Sequence, residues 1–414
     1  MLSVPPPLRL RDFRLLVCAL VAMGLASQMA EVAIGWQVYA VHRRALDLGL
    51  VGLAEFLPLP VLALPAGQLA DRFPRRLVFA VSLGLYAAVA ICLVLVTRAG
   101  ASELWPFIAL AATSGVAGAI GNPAARALPP ALVPTELLAS AMALRSIAIR
   151  SGAIVGPAIG GFLFAWRAEL VYVVAAGLLG VAILCVTALR REAVEAEPLA
   201  APPPRVESVL AGVRLIRRTP VLLGAISLDL FAVLFGGAVA LLPLFARSVL
   251  HTGPVGLGVL RSAPAVGGIL AAGILAQRSL GRHVGRKLLL VVALFGVCMV
   301  VFGLSRSFVV SLVALAVSGF VDMLSVNIRS TIVPLVTPDQ LLGRVLAVEM
   351  VFISASNELG AFESGLAAAL LGAVPAVVAG GVLTIALALV WTRFFPQLAE
   401  VDRLEELRPV AVEA

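Results

Sequence analysis

Charge is scarce in this chain. Only 13% of its 414 residues are Asp, Glu, Lys or Arg, about half the usual share of a water-soluble protein. With 61% hydrophobic residues and a mean hydropathy of +1.07, a soluble domain is excluded. Lysine is nearly missing, Lys287 being the sole one. Histidine is limited to His42, His251 and His283, all in predicted loops, so no metal site is expected. Cys18, Cys92, Cys185 and Cys298 sit singly in separate apolar runs without any CxxC, which speaks for packing rather than chemistry. Four Trp and three Tyr leave little aromatic surface for stacking on sugars. No Gly-x-x-x-x-Gly-Lys-Ser/Thr stretch occurs, so ATP is not the driver within this chain. The net charge of +8 comes without aromatic interleaving, so it does not point to nucleic acid.

Long apolar runs fill the space left by charge. Twelve reach the length of ~18 residues or more that reads as a membrane span. They lie at about 15–40, 47–70, 77–97, 104–127, 137–165, 169–189, 221–246, 253–276, 287–305, 308–332, 344–371 and 374–395. Glycine and proline inside them are compatible with spanning helices. Arg9, Arg11 and Arg14 precede a first run far longer than the apolar core of a cleavable signal, so none is expected. The arginines fall mostly in alternate loops, Arg72, Arg75, Arg76, Arg190, Arg191, Arg205, Arg278, Arg282 and Arg286 among them. By the positive-inside rule both termini are expected in the cytoplasm.

The chain also repeats itself. Gly52, Glu55, Pro58, Gly67 and Arg72 stand opposite Gly258, Arg261, Pro264, Gly273 and Arg278, each 206 residues on. Arg126, Leu132-Val133 and Glu136 match Arg329, Leu335-Val336 and Asp339, each 203 residues on. The expected organisation is a cytoplasmic N-terminus (1–14), a six-helix bundle (15–189), a cytoplasmic linker (190–220), a second six-helix bundle (221–396) and a cytoplasmic tail (397–414). The linker holds Pro198 and Pro202-Pro203-Pro204, which favour an extended piece, followed by a surface helix at 205–219. The tail reads as a short solvated helix. Thr135 and Thr337 read as helix N-caps, with Pro338 at a first helical position.

Between the second and third runs lies Gly67-Gln-Leu-Ala-Asp71-Arg72-Phe-Pro-Arg75-Arg76. Twelve helices in a six-plus-six repeat and this charged loop together resemble the major facilitator superfamily. Its loop signature is Gly-x-Leu-Ala-Asp-Arg-x-Gly-Arg-Arg, with Pro74 here in place of the second Gly. Gly35-Trp36-Gln37-Val38-Tyr39, Leu132-Val133-Pro134 and Asn357-Glu358-Leu359-Gly360 resemble the branch of enterobactin-exporter-like and secretion-effector permeases. The resemblance implies an all-α integral membrane fold of two pseudo-symmetric six-helix bundles, with passage of a small molecule by alternating access. It implies that Asp71 locks a gate at the N-terminus of the eleventh helix, where the dipole favours an anion. Arg72, Arg75, Arg76 and Arg126 are the basic members of this gating motif, and Gln277 replaces Asp71 in the echo. The fifth run carries Gly152, Gly156, Pro157, Gly160 and Gly161, similar to the Gly-Pro signature of drug/proton antiporters and equally readable as close helix packing.

Charges inside the runs each need a partner, a wet cavity or neutralisation. Glu31 lies about 16 residues into the first run, roughly 24 Å along it. It is expected to pair with Arg145 or Arg150 of the fifth run, either as a coupling carboxylate or as a fixed structural pair. Glu55 and Arg261 hold matching positions in the two halves and form the candidate outer-gate pair. Glu349, Glu358 and Glu363 share the eleventh run. Glu358, near its centre and beside Asn357, is the first candidate for the proton carrier. Asp229, Asp322 and Glu363 are further candidates. Together these features predict a proton-coupled exporter of small amphipathic molecules in the inner membrane. It would act as a monomer, without cofactor, on the energy of the proton gradient. A symporter or uniporter importing a metabolite is the alternative. A membrane-embedded enzyme lacks convergent nucleophile and base, and a non-transporting receptor does not need the Asp71 loop.

Overall fold

A computed structural model describes residues 5–190, 206–277 and 281–409. Linker residues 191–205 with their Pro cluster, Arg278 and the last five residues lie outside the described residues, as do the side chains of Gly67 and Asp71. Among the described residues there is no strand, and 12 helices are long and apolar enough to cross a membrane. A helix satisfies every backbone group internally, which a hydrocarbon environment demands.

The helices are α1 (Arg11–His42), α2 (Ala45–Phe56, resuming past Leu57 as Pro58–Arg72), α3 (Arg75–Arg98), α4 (Trp105–Leu132), α5 (Leu138–Trp166) and α6 (Ala168–Thr187). After a linker helix (Val206–Arg218) come α7 (Pro220–Gly236), α8 (Pro254–Leu275), α9 (Val284–Leu304), α10 (Phe308–Val336), α11 (Asp339–Leu371) and α12 (Ala373–Phe394). The break in α2 follows from Pro58 and Pro60, which lack the N–H needed for the regular ladder. Past Gly236, α7 gives way to a 3-10 turn at Ala238–Leu241.

The chain divides into two compact units. Unit 1 is Met1–Ala201 with Ala246–Ser262, and unit 2 is Pro202–Phe245 with Ala263–Ala414. The segment Ala246–Ser262 thus packs with α1–α6, although by sequence it belongs to the second repeat.

The centre of unit 1 is built by Leu16, Leu20, Phe79, Leu83, Leu128 and Leu179. A close seam joins α1 to α5. Lipid tails are as apolar as leucine, so close contact rather than water exclusion drives such pairing. A Cβ on Gly152 would stand 2.7 Å from the carbonyl carbon of Gly24, and one on Gly160 2.9 Å from the Cα of Met29. Gly156 likewise abuts the Cβ of Gln28. Gly152, Gly156 and Gly160 of the fifth run are therefore a packing surface for α1.

Unit 2 is centred on Leu222, Leu228, Leu288, Ile332 and Val333. The linker helix packs here, with Gly212 against the backbone of Arg344. The tail differs from the solvated helix expected of it. Leu398 is fully buried, Val284 and Gly285 donate backbone hydrogen bonds to Asp402 and Val401 at 3.2 and 2.9 Å, and Asp402 accepts from His283 N–H at 2.9 Å and Arg282 Nε at 2.9 Å. The open N–H groups at the start of α9 supply the reason: they need acceptors, and the tail provides them. These bonds, with the His283 N–H the strongest, hold the Asp402 carboxyl below its usual range. The cap reading of Thr337 is also corrected. Its hydroxyl donates back to Val333 O at 2.6 Å and so closes α10 instead of opening α11. Thr135 starts a 3-10 turn without a side-chain cap.

Candidate functional site

Glu31 sits 20 residues into α1, roughly 30 Å from its start. One carboxylate oxygen accepts from Arg261 and the other from Gln28 Nε2 at 3.0 Å. This corrects two expectations. Glu31 does not pair with Arg145 or Arg150, and the ion pair of Arg261 is with Glu31 in place of Glu55. The reason is local. The stretch Pro254–Ser262 lies along α5, with Gly258 against Pro157 O and Ser262 Oγ donating to Ile154 O at 2.6 Å. That docking carries Arg261 to α1. Glu55 is on α2, within electrostatic reach of Tyr86 on α3, and its carbonyl abuts Gly115 of α4. Tyr39 and Ser248 share a hydrogen bond of 2.8 Å, and the Arg247 guanidinium lies 5.6 Å over the Trp36 ring. Four polar or cation–π ties therefore bind Ala246–Ser262 to α1 and α5.

The remaining arginines of unit 1 are less satisfied. Arg145 Nε is buried and has no hydrogen-bond partner among the described residues. Its charge lies near that of Arg126 on α4. Arg150 is exposed and makes no ion pair among the described residues.

In the signature loop Arg72 is exposed. Arg75 donates to Ala127 O at 3.5 Å, at the end of α4. Arg76 donates to Leu189 O and to Thr187 O, at the end of α6. Both reach backbone carbonyls, because helix C-termini leave such acceptors open and favour cations.

Unit 2 concentrates carboxylates. Asp229 on α7 pairs with Arg329 on α10 at 2.6 Å, and Arg329 Nε also donates to Ser325 Oγ at 3.4 Å. Glu349 on α11 lies within electrostatic reach of both charges. Asp229 is thus engaged in a buried pair. Sequence reasoning placed Arg329 only as the echo of Arg126. The signal that could have found the pair is that Asp229 is the one carboxylate within the run 221–246 and needs a cation, and Arg329 lies within the run 308–332.

Glu363 lines a cavity with Phe235, Gly236, Ala238, Leu241, Ser364 and Ala376. The cavity abuts the break in α7, and Ser364 Oγ donates to Gly237 O at 3.3 Å. Glu358 is half-buried, whereas Asn357 and Asp322 are exposed.

A family model described as transmembrane secretion effector matches residues 3–410. The enterobactin exporter of Citrobacter koseri is 27% identical over 408 residues, covering 95% of this chain and 92% of the relative. That of Escherichia coli O1:K1 is 28% identical over 371 residues, covering 87% and 83%. Among solved structures, a bacterial homolog of the human lysosomal transporter Spinster is similar with a TM-score of 0.75 at 14% identity, covering 95% of this chain and 98% of its own. A D-xylose–proton symporter gives 0.70 at 12% identity, covering 94% and 99%. Twelve helices, the repeat, the signature loop and these matches agree: the chain is a multi-pass membrane transporter of the major facilitator superfamily and belongs to the transmembrane secretion effector family.

Proposed function

We propose that this transporter is an exporter of the inner membrane with both termini cytoplasmic. It couples proton entry to the outward passage of small amphipathic molecules of drug or siderophore type. The observation that carries the coupling is Glu363, a carboxylate in a cavity beside an interrupted helix. Interrupted helices are where transporters of several folds place their ion sites, because freed backbone groups line a cavity there. Ser364, which lines the cavity and donates to the Gly237 carbonyl, supplies a polar group that a proton needs on its way to and from the carboxylate. The sequence favoured Glu358, nearer the helix centre. The cavity favours Glu363, with Glu358 its comparator. Asp229 is set aside because Arg329 already holds it.

Export is supported by the relatives, which are named as exporters. Alternating access gives the ties of Ala246–Ser262 a role as an outer closure that must open for release. Asp71 serves the opposite gate, so Asp71→Asn slows transport severely while Gln277→Ala matters far less. Accumulation of enterobactin and of ethidium in everted vesicles, with and without an imposed pH gradient, tests the reading. Gradient-dependent accumulation of at least one is expected in the wild type. Accumulation that ignores the gradient contradicts proton coupling.

A further inference from the structure

We propose that the cargo carries a negative charge, and that Arg150 receives it at the inner end of the seam between α5 and Pro254–Ser262. The inference rests on the exporter reading and names the chemistry of its cargo. The seam follows one stripe of α5. Gly161 abuts Pro254 O, Pro157 O abuts Gly258, and Ile154 O accepts from Ser262 Oγ. At 100° per residue, Arg150 falls on this same stripe. It lies one turn beyond Ile154, roughly 6 Å along the axis. The last of these contacts, at Ile154, lies one turn from the arginine, and the arginine is exposed.

The charge balance there is uneven. Arg261, next to Ser262, is held by Glu31, whose second oxygen is held by Gln28. Arg150 has no carboxylate among the described residues. Of the two arginines along this seam, only Arg261 has a carboxylate among the described residues. An arginine inside a spanning helix requires a counter-charge or water. A carboxylate, sulfonate or phosphate monoester meets its planar fork with two parallel hydrogen bonds. A cationic cargo would find Glu31 already engaged and Arg150 repelling it.

The same position supplies a trigger. Arg261 belongs to the segment that closes the seam. An anion on Arg150 competes with Glu31 for Arg261. Exchanging one carboxylate for another keeps Arg261 paired and frees Glu31, which removes one of the ties of Ala246–Ser262 to α1. The Tyr39–Ser248 bond and the Arg247–Trp36 contact are then its remaining polar and cation–π ties to α1, beside the Ser262–Ile154 bond to α5.

A lipid phosphate offers the same chemistry, so the test separates the two sources. The full chain is purified in an uncharged maltoside, and its thermal unfolding is followed at fixed ionic strength. The probes are benzenesulfonate, phenyl phosphate, benzyltrimethylammonium and phosphatidylglycerol. The midpoint is expected to rise with the two aromatic anions and not with the cation. The rise is lost in Arg150→Gln and partly kept in Arg150→Lys. No gradient is present, so the outcome does not depend on whether the chain exports. Absence of an anion-specific rise, an equal rise in Arg150→Gln, or a rise with phosphatidylglycerol alone overturns the proposal. A second measurement stands should Arg150→Gln fail to fold. Ser248→Cys is placed in a background with Cys18, Cys92, Cys185 and Cys298 changed to Ala. Benzenesulfonate should speed its labelling by an impermeant maleimide, and an unchanged rate overturns the exchange at Arg261.

Discussion

The ion pairs Asp229–Arg329 and Glu31–Arg261 each join helices inside this transporter, and their surroundings set them apart. Asp229 and Arg329 in unit 2 have side chains 9% and 5% exposed. Glu31 and Arg261 in unit 1 have side chains 46% and 13% exposed. A pair closed off from water cannot lose one member without leaving a bare charge behind. A half-open pair can trade partners, because water or another ion replaces what leaves. The first pair fixes α7 to α10. The second is built to be exchanged. The charge around them follows the same division: unit 1 has arginines beyond its acids at α5, and unit 2 has Glu349, Glu358 and Glu363 beyond Arg329.

Removing one member of each pair gives the largest contrast. Asp229→Ala should cost about 3–5 kcal/mol, because Arg329 is left buried and alone. Glu31→Gln should cost less than about 1 kcal/mol, the range of exposed pairs. Chemical unfolding titrations of the two purified variants measure both. Equal losses would erase the distinction between a fixed and an exchangeable pair.

Packing sharpens it at the next level. Gly152→Val drives a branched side chain into the backbone of Gly24 and should cost about 1–3 kcal/mol. Gly177, on α6, has nothing within 4 Å of an added Cβ. Gly177→Val should therefore leave the unfolding midpoint where it is. A matching loss at both positions would deny the α1–α5 seam its special closeness.

The smallest effect is expected at the tail. The Asp402 carboxyl is held below its usual range by the His283 N–H and Arg282. A depressed carboxylate contributes stability that is full above the unfolded value, about 3.9, and is lost as pH falls through the folded one. Asp402→Asn should therefore loosen the tail at neutral pH, read as faster tryptic cleavage at Arg403. The difference from the wild type should shrink below about pH 4, where an acid-stable protease such as pepsin replaces trypsin. A difference that grows on acidification would reverse the assignment.

Much of this architecture is legible in the residues themselves. Twelve runs too apolar for water and too long for a soluble core dictate twelve helices, and the similar offsets of 206 residues from Glu55 to Arg261 and 203 from Arg126 to Arg329 announce the repeat. The candidate site was legible as residue types. Its pairings were not. Glu31 and Arg150 differ in depth, because Gly152 of α5 faces Gly24, seven residues before Glu31, and the partner of Glu31 is decided by how Pro254–Ser262 lies on α5, which depends on Gly258 and Ser262 meeting α5 backbone. The same holds for Asp229, whose partner comes from α10. Thr337 failed as a cap because α11 begins one residue later, with Pro338 at the N-cap position, and the Thr337 hydroxyl closes α10. The tail failed as a solvated helix because the start of α9 offers open N–H groups that the tail sequence does not advertise. Local propensity speaks for elements, and long-range contact decides pairs.

The division of labour reduces to one comparison in proteoliposomes: counterflow exchange of enterobactin against its accumulation under an imposed pH gradient, for the wild type and Glu363→Gln. The account predicts that Glu363→Gln loses accumulation and keeps exchange at the wild-type rate, because cargo is held in unit 1 and the proton in unit 2. Accumulation that survives the substitution, or exchange that is lost with it, would contradict the account.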